Sequence, residues 1–156
     1  MKTNAMRILQ RQGIAFETKA YEVDTSDLSA PTVAKKVGMD PAQVFKTLLT
    51  RASAREVFLA VVPGSAELNL KALARATGAR KVEMVPLKDV QRLTGYVRGG
   101  VTALGTKKPL PVWVDSSVHN WSEIAVSAGA RGLQLVLQPE DYLRATQAQT
   151  AELCTW

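Results

Sequence analysis

The stretch Val44-Phe45-Lys46-Thr47-Leu48-Leu49-Thr50, followed after a short polar connection (51–56) by Val57-Phe58-Leu59-Ala60-Val61-Val62, decides how this chain is read. β-Branched, aromatic and aliphatic residues dominate both runs, which predicts two paired strands. In an extended strand alternate side chains share a face. Lys46 then lies with Val44 and Leu48, and Thr47 lies with Phe45 and Leu49. Both faces are mainly apolar, so the strand is expected to be buried on both sides. A lysine in that place must reach out to solvent, pair with an acid or line a cavity.

Working outward, the flanks alternate between helical and extended patterns. Thr3 is positioned to cap a helix carrying Met6, Ile8 and Leu9 and stopping at Gly13. Phe16–Val23 suits a strand, and Ser29 precedes a second helix with Pro31 in its first turn and Gly38 at its end. Asn69 opens a helix that ends at Gly78, Lys81–Val85 reads as a short strand, and Pro86 opens a helix closing at Gly95. Strands at Val112–Val114, Glu123–Ser127 and Leu133–Leu137 precede a last helix from Pro139. No regular βαβ repeat emerges. The expectation is therefore an α+β fold, a mixed sheet curled into a partial, barrel-like form with helices around it.

With 156 residues, of which 46% are hydrophobic, the chain has the length and composition of one globular domain spanning 1–156. Its one cysteine, Cys154, cannot form an internal disulfide, which suits a reducing compartment. No signal-peptide-like apolar region and no membrane-spanning run is present, so a cytoplasmic location is expected by elimination. Lys and Arg number 20 against 14 Asp and Glu, for a net charge of +6. Such a surplus favours polyanionic partners, nucleic acid first among them, although basicity for solubility alone accounts for it equally well.

Several chemistries lack their residues. His119 is the single histidine and falls in a polar turn. One His and one Cys make no zinc constellation, so no metal is expected. There is no Walker-type phosphate loop, and Gly95–Gly105 lacks the dinucleotide-binding spacing, so no cofactor is expected. Catalysis would rest on lysine, backbone amides, hydroxyls or the substrate itself. Gly95–Gly105 holds four glycines, whose exposed N–H groups suit a carboxylate, a phosphate or an oxyanion, as well as a plain flexible turn. Lys107-Lys108 directly after it could meet an RNA backbone. The small-residue run Ala125–Gly132 makes a tight turn that either brings Ser127 to a site or simply connects two strands.

Taken together and in this order, Val44–Leu49, Lys81–Met84, Thr94–Val101, Gly105–Lys108 and Val126–Leu133 resemble the YbaK/EbsC family of Cys-tRNA(Pro) deacylases. The likeness runs from the first helix to the last. It implies the α+β, barrel-like fold already expected, related to the editing domain of bacterial-type prolyl-tRNA synthetases. It also implies an aminoacyl-tRNA deacylase that clears cysteine from tRNA(Pro), recruited by prolyl-tRNA synthetase, with no DNA or membrane partner.

The resemblance carries roles to individual residues. The family's central lysine falls on Lys46, its pocket tyrosine on Tyr21, its glycine-loop backbone contact on Gly100 beside Gly99, and its small-run serine on Ser127. Thr47 neighbours the lysine and is expected to line the same pocket. In this branch the substrate's own thiol attacks the ester, which fits the lack of a visible protein nucleophile. Lys46 would position the terminal adenosine or the ester. Amides near Gly100 would stabilise the oxyanion, worth about 3–4 kcal/mol per donor, and proximity of thiol to ester would supply the rest. Lys35, Lys36, Lys107 and Lys108 would contact tRNA.

Two positions depart from the family pattern. Ala103 stands where a proline is frequent, and Gln134 stands where an acidic residue is expected. Both bear on the amino-acid pocket and leave alanyl, seryl or threonyl esters as alternative substrates. A non-catalytic module that binds tRNA or a synthetase is the rival of another class. A small-molecule esterase would need a protein nucleophile that the sequence does not offer.

Overall fold

Strands β2 (Phe45–Arg51) and β3 (Val57–Pro63) form an antiparallel pair, with Lys46 opposite Val62 and Thr47 opposite Val61. The computed structural model describes residues 2–156. Around this pair lie β5 (Glu83–Met84), β6 (Val112–Asp115) and β9 (Gln149–Ala151), giving a five-stranded sheet of order β5-β2-β3-β6-β9. β3 and β9 run parallel to β6, so the sheet is mixed. A second sheet joins β1 (Glu17–Ala20), β8 (Leu133–Leu137) and β7 (Ile124–Ser127), all antiparallel. A small third sheet pairs β4 (Glu67–Leu68) with β10 (Cys154–Thr155).

The two larger sheets meet at one seam, a parallel bridge between Val44 and Ala125, where the Ala125 amide donates to the Gln43 carbonyl at 3.1 Å. The curl stops there, and no closed barrel forms. β5 pairs with β2 only at Thr50 and Arg51, and β7 reaches it only at Val44. Between those points, among the described residues, no strand is paired by a hydrogen-bond ladder to the edge of β2 turned away from β3, although β7 runs near it.

Among the described residues five α-helices surround the sheets: α1 (Asn4–Arg11), α2 (Ala30–Val37), α3 (Leu70–Thr77), α4 (Leu87–Thr94) and α5 (Pro139–Thr146). The Thr3 hydroxyl accepts from the Met6 amide at 3.3 Å, and the Asn69 side chain accepts from the Ala72 amide at 3.0 Å. Each such cap is worth about 1 kcal/mol. Ser29 sits at the N-cap of α2 without making a capping bond. Asp27 does the local work instead, accepting from the Ser29 amide at 3.0 Å and the Thr32 hydroxyl at 2.6 Å. Gly38, Gly78 and Gly95 close α2, α3 and α4 in the left-handed conformation.

Odd-numbered residues of β2 face the main core, where Phe45 and Leu49 pack with Leu9, Leu59, Ile124, Leu135 and Tyr142. Even-numbered residues face the helical side. Val44 joins Ala34, Ala125 and Val136 under α2, and Leu48 joins Ala60, Val62 and Leu73 under α3. Both faces of the strand are covered as the sequence predicts, and Lys46 lies on the helical face between two apolar clusters. Among the described residues no helix is long and apolar enough to cross a membrane.

Candidate functional site

A cavity of about 380 Å³ opens along the stretch of β2 that has no hydrogen-bonded strand on that edge. Residues 26–30 before α2 form one wall and residues 44–49 form its floor. Met84, Val85 and Leu87 close one end, and Arg98, Gly99 and Val101 of the glycine-rich loop lie across from Ser127 and Gln134. The volume falls at the low end of the range of small-ligand sites.

The floor offers main-chain groups. Val44 accepts from the Gly64 amide at 2.7 Å, so the even-numbered residues of β2 bond toward β3. Leu49 accepts from the Val85 amide and Gln43 from the Ala125 amide, so the odd-numbered residues bond toward the other edge. By this alternation the N–H and C=O of Thr47 point into the gap, where no strand receives them. The Thr47 hydroxyl lies on the opposite, core side, buried beside the Tyr142 hydroxyl, its polar neighbour there. Burial pushes the Tyr142 phenol well above its usual pKa.

Lys46 is half-buried and donates from Nζ to the Ala66 carbonyl at 2.8 Å. An ammonium has three donors, so this bond fixes the side chain and leaves two N–H groups for a ligand. Ser127 is 9% exposed, and its Oγ accepts from the Gly129 amide at 3.1 Å, leaving its own proton free. Gln134 stands opposite Ser127 in the β7–β8 register, is 5% exposed, and carries an Oε1 with no partner. Its departure from the family pattern therefore lies in the cavity wall. Ala103, the other departure, is buried outside that wall.

Lys46, Thr47, Gly99 and Ser127 are brought together, Thr47 through its backbone. Gly99 has φ +84°, and a Cβ there would meet Leu28 Cδ1 at 3.3 Å and Arg131 Nε at 3.4 Å, so only glycine lets the loop pass between them. Gly100, between the lining residues Gly99 and Val101, is buried and does not itself line the cavity, and its amide donates to the Val97 carbonyl at 2.8 Å. That amide is already engaged in a turn, unlike the free oxyanion donor the sequence suggests. Tyr21 also stands outside the wall, its amide bonded to the Gly132 carbonyl at 3.0 Å. Lys35, Lys36, Lys107 and Lys108 are exposed and away from the cavity, and Lys36 donates to the Glu22 carbonyl at 2.7 Å.

Sequence reasoning missed Asp27, Leu28 and Arg98 in the wall. Asp27 had a usable signal, the Asp-x-Ser spacing of an Asx turn. Hydrogen bonds from Thr32 and Ser29 hold its carboxyl at a pKa of about 2. Neither His119 nor Cys154 lines the cavity, although the Cys154 thiol lies within electrostatic reach of Lys46. His119 is exposed on the 3₁₀ turn Ser116–Asn120, with Nδ1 at 3.4 Å from Glu140. Burial first, and then the Asp115 carboxylate, push the Cys154 thiol up to about 12, which keeps it protonated at neutral pH. Among the described residues no group of three or more His, Cys, Asp or Glu side chains converges as metal ligands would.

Comparison with known proteins gives a consistent result. The family described as "Aminoacyl-tRNA editing domain" matches residues 27–145. An Enterococcus faecalis protein named "Putative Cys-tRNA(Pro)/Cys-tRNA(Cys) deacylase EbsC" is 42% identical over 99% of this chain and 94% of its own length. A proline–tRNA ligase of Brachyspira hyodysenteriae is 25% identical over 72% of this chain, a stretch covering 20% of the ligase. A solved structure titled "Crystal structure of a putative trans-editing enzyme for prolyl tRNA synthetase" superposes with a TM-score of 0.86 at 25% identity, over 100% of this chain and 99% of that one.

Proposed function

The chain belongs to the aminoacyl-tRNA editing domain family, and from that premise we propose that it is a trans-editing deacylase that removes cysteine mischarged onto tRNA(Pro). The substrate assignment is supported by the relative that shares 42% of its residues over nearly its whole length. Association with prolyl-tRNA synthetase, and with it a cytoplasmic location, is supported by the match to part of a proline–tRNA ligase and by the trans-editing structure.

The observation that carries the reading is the tethered ammonium of Lys46 in a small cavity that holds no activated nucleophile of the protein. The substrate then supplies the nucleophile. The cysteinyl sulfur attacks its own ester carbonyl, an S–C bond forms, the ester C–O bond breaks, and the thiol proton passes to the departing ribose oxygen. Lys46 positions the ester by charge and hydrogen bonding, and the free peptide groups of Thr47 on the floor orient the aminoacyl end. Confinement contributes through proximity. Gly99 and Val101 border the cavity where developing negative charge would sit.

The test is deacylation of Cys-, Ala-, Ser- and Pro-tRNA(Pro) under matched conditions. Selective loss of the cysteinyl ester supports thiol-assisted cleavage. Clearance of alanyl or seryl esters instead keeps the deacylase and rejects substrate-thiol attack, with the neutral Gln134 as the first residue to examine. Binding of tRNA without turnover of any ester would make the protein a non-catalytic module.

A further inference from the structure

Arg98 lines the mouth of the cavity and Arg131 lies across Gly99 beside it. The two are tied together, because Arg131 Nε donates to the Arg98 carbonyl at 2.7 Å. Both are exposed, and neither takes part in an ion pair among the described residues. Asp27 is the one acid in the cavity wall, and its oxygens already accept from the Ser29 amide and the Thr32 hydroxyl. Two arginines without an acidic partner thus stand on adjoining loops beside the cavity, Arg131 fixed by its bond to the Arg98 main chain. A guanidinium matches a phosphate in charge and in fork geometry.

We infer that Arg98 and Arg131 form a binding site for a phosphodiester, the one on the 5′ side of the terminal adenosine whose ester enters the cavity. The inference rests on the functional reading above for the identity of that ligand. The cavity has room for a nucleoside ester but not for an oligonucleotide, so the adjoining phosphate must remain at the mouth. Arg131 keeps both Nη groups for it, since Nε is committed to the loop. Lys35, Lys36, Lys107 and Lys108 lie outside the cavity wall and would meet only more distant parts of the tRNA.

The experiment titrates wild type, Arg98→Ala, Arg131→Ala and Arg131→Lys with the trinucleotide CCA and, separately, with adenosine, which has no phosphate. Each alanine variant should bind CCA roughly tenfold more weakly, the loss of a charge-assisted hydrogen bond. Adenosine binding should not change. The slope of log affinity against log salt should become shallower by about 0.7 per removed contact. Arg131→Lys, which keeps the charge without the Nε bond, should recover part of the CCA affinity. Equal losses for CCA and adenosine would mean that the arginines only shape the cavity and would overturn the inference. Unchanged CCA affinity, or no CCA binding by wild type, would overturn it as well. Arg131→Lys as weak as Arg131→Ala would remove Arg131 from the site. A wild type that cleaves no aminoacyl ester would sink the functional reading while leaving the CCA titration decisive for the arginines. If esters are cleaved, Arg131→Ala should raise KM for aminoacyl-tRNA at unchanged kcat, and should raise KM for an aminoacyl-adenosine far less.

Discussion

The ammonium of Lys46 and the carbonyl oxygen of Ala66 stand 2.8 Å apart across the end of the β2–β3 pair. This contact holds a cation on a strand whose neighbours on the same face, Val44 and Leu48, are apolar. Removing the side chain should separate function from folding. Lys46→Ala is expected to lower deacylation by about 10²–10³-fold, the usual loss for one electrostatic stabiliser. Its stability should fall by only about 0.5–1.5 kcal/mol, the net worth of one hydrogen bond. Single-turnover kinetics beside urea unfolding would measure both, and an unchanged rate would remove Lys46 from the mechanism.

Thr47 presents its peptide groups to the cavity and its hydroxyl to the core, where Oγ1 lies beside the Tyr142 hydroxyl. Thr47→Val keeps the shape and the backbone while deleting that hydroxyl. Turnover should be unchanged, and stability should change by no more than about 1 kcal/mol, the net worth of one hydrogen bond. A large drop in rate would show that the hydroxyl, not the backbone, meets the substrate.

Asp27 braces the entry to α2, and its carboxyl is held at about 2, below its ordinary 3.8, by Thr32 and Ser29. The folded state therefore favours the carboxylate. That contribution is complete above the unfolded value of 3.8 and is lost as pH falls through about 2. Asp27→Asn should be less stable than wild type at neutral pH, and the gap should narrow as pH drops below 4. Unfolding curves at three pH values decide it; a gap independent of pH would contradict the assignment.

Cys154 is half-buried, with its thiol pushed up to about 12 by burial and by Asp115. At pH 8 it should react with iodoacetamide far more slowly than an exposed cysteine. The fold favours the protonated thiol, so its contribution is present below 9.0 and fades as pH rises toward about 12. Cys154→Ser should retain deacylation. Rapid alkylation with loss of activity would instead revive a protein nucleophile.

Local rules account for much of this architecture. The alternation in Val44–Thr50 and the run from Val57 were enough to place the central pair, because burial on both faces writes itself into consecutive apolar residues. Thr3 and Asn69 were legible as caps, since a cap bonds to an amide only three residues away. Strands β4, β9 and β10 were not legible. Each is two or three residues long and owes its existence to a partner far along the chain, as Cys154 pairs with Leu68. The sheet could be foreseen as mixed and curled, but where the curl would stop depended on the seam at Val44 and Ala125.

The sequence by itself determined the helices and main strands, the odd placement of Lys46, the absence of a conventional nucleophile set and, through linked motifs, the family. Only the tertiary structure decided which residues share the cavity. It joined Lys46, Gly99, Ser127 and Gln134 from four separate segments and turned Thr47's hydroxyl away. It left Tyr21 and Gly100 out of the cavity lining and set Arg131 beside Gly99, next to Arg98. The physical reason is range. Capping and face alternation act over a few residues and are written locally, whereas a cavity is the space left where distant segments fail to meet, here the edge of β2 between β5 and β7.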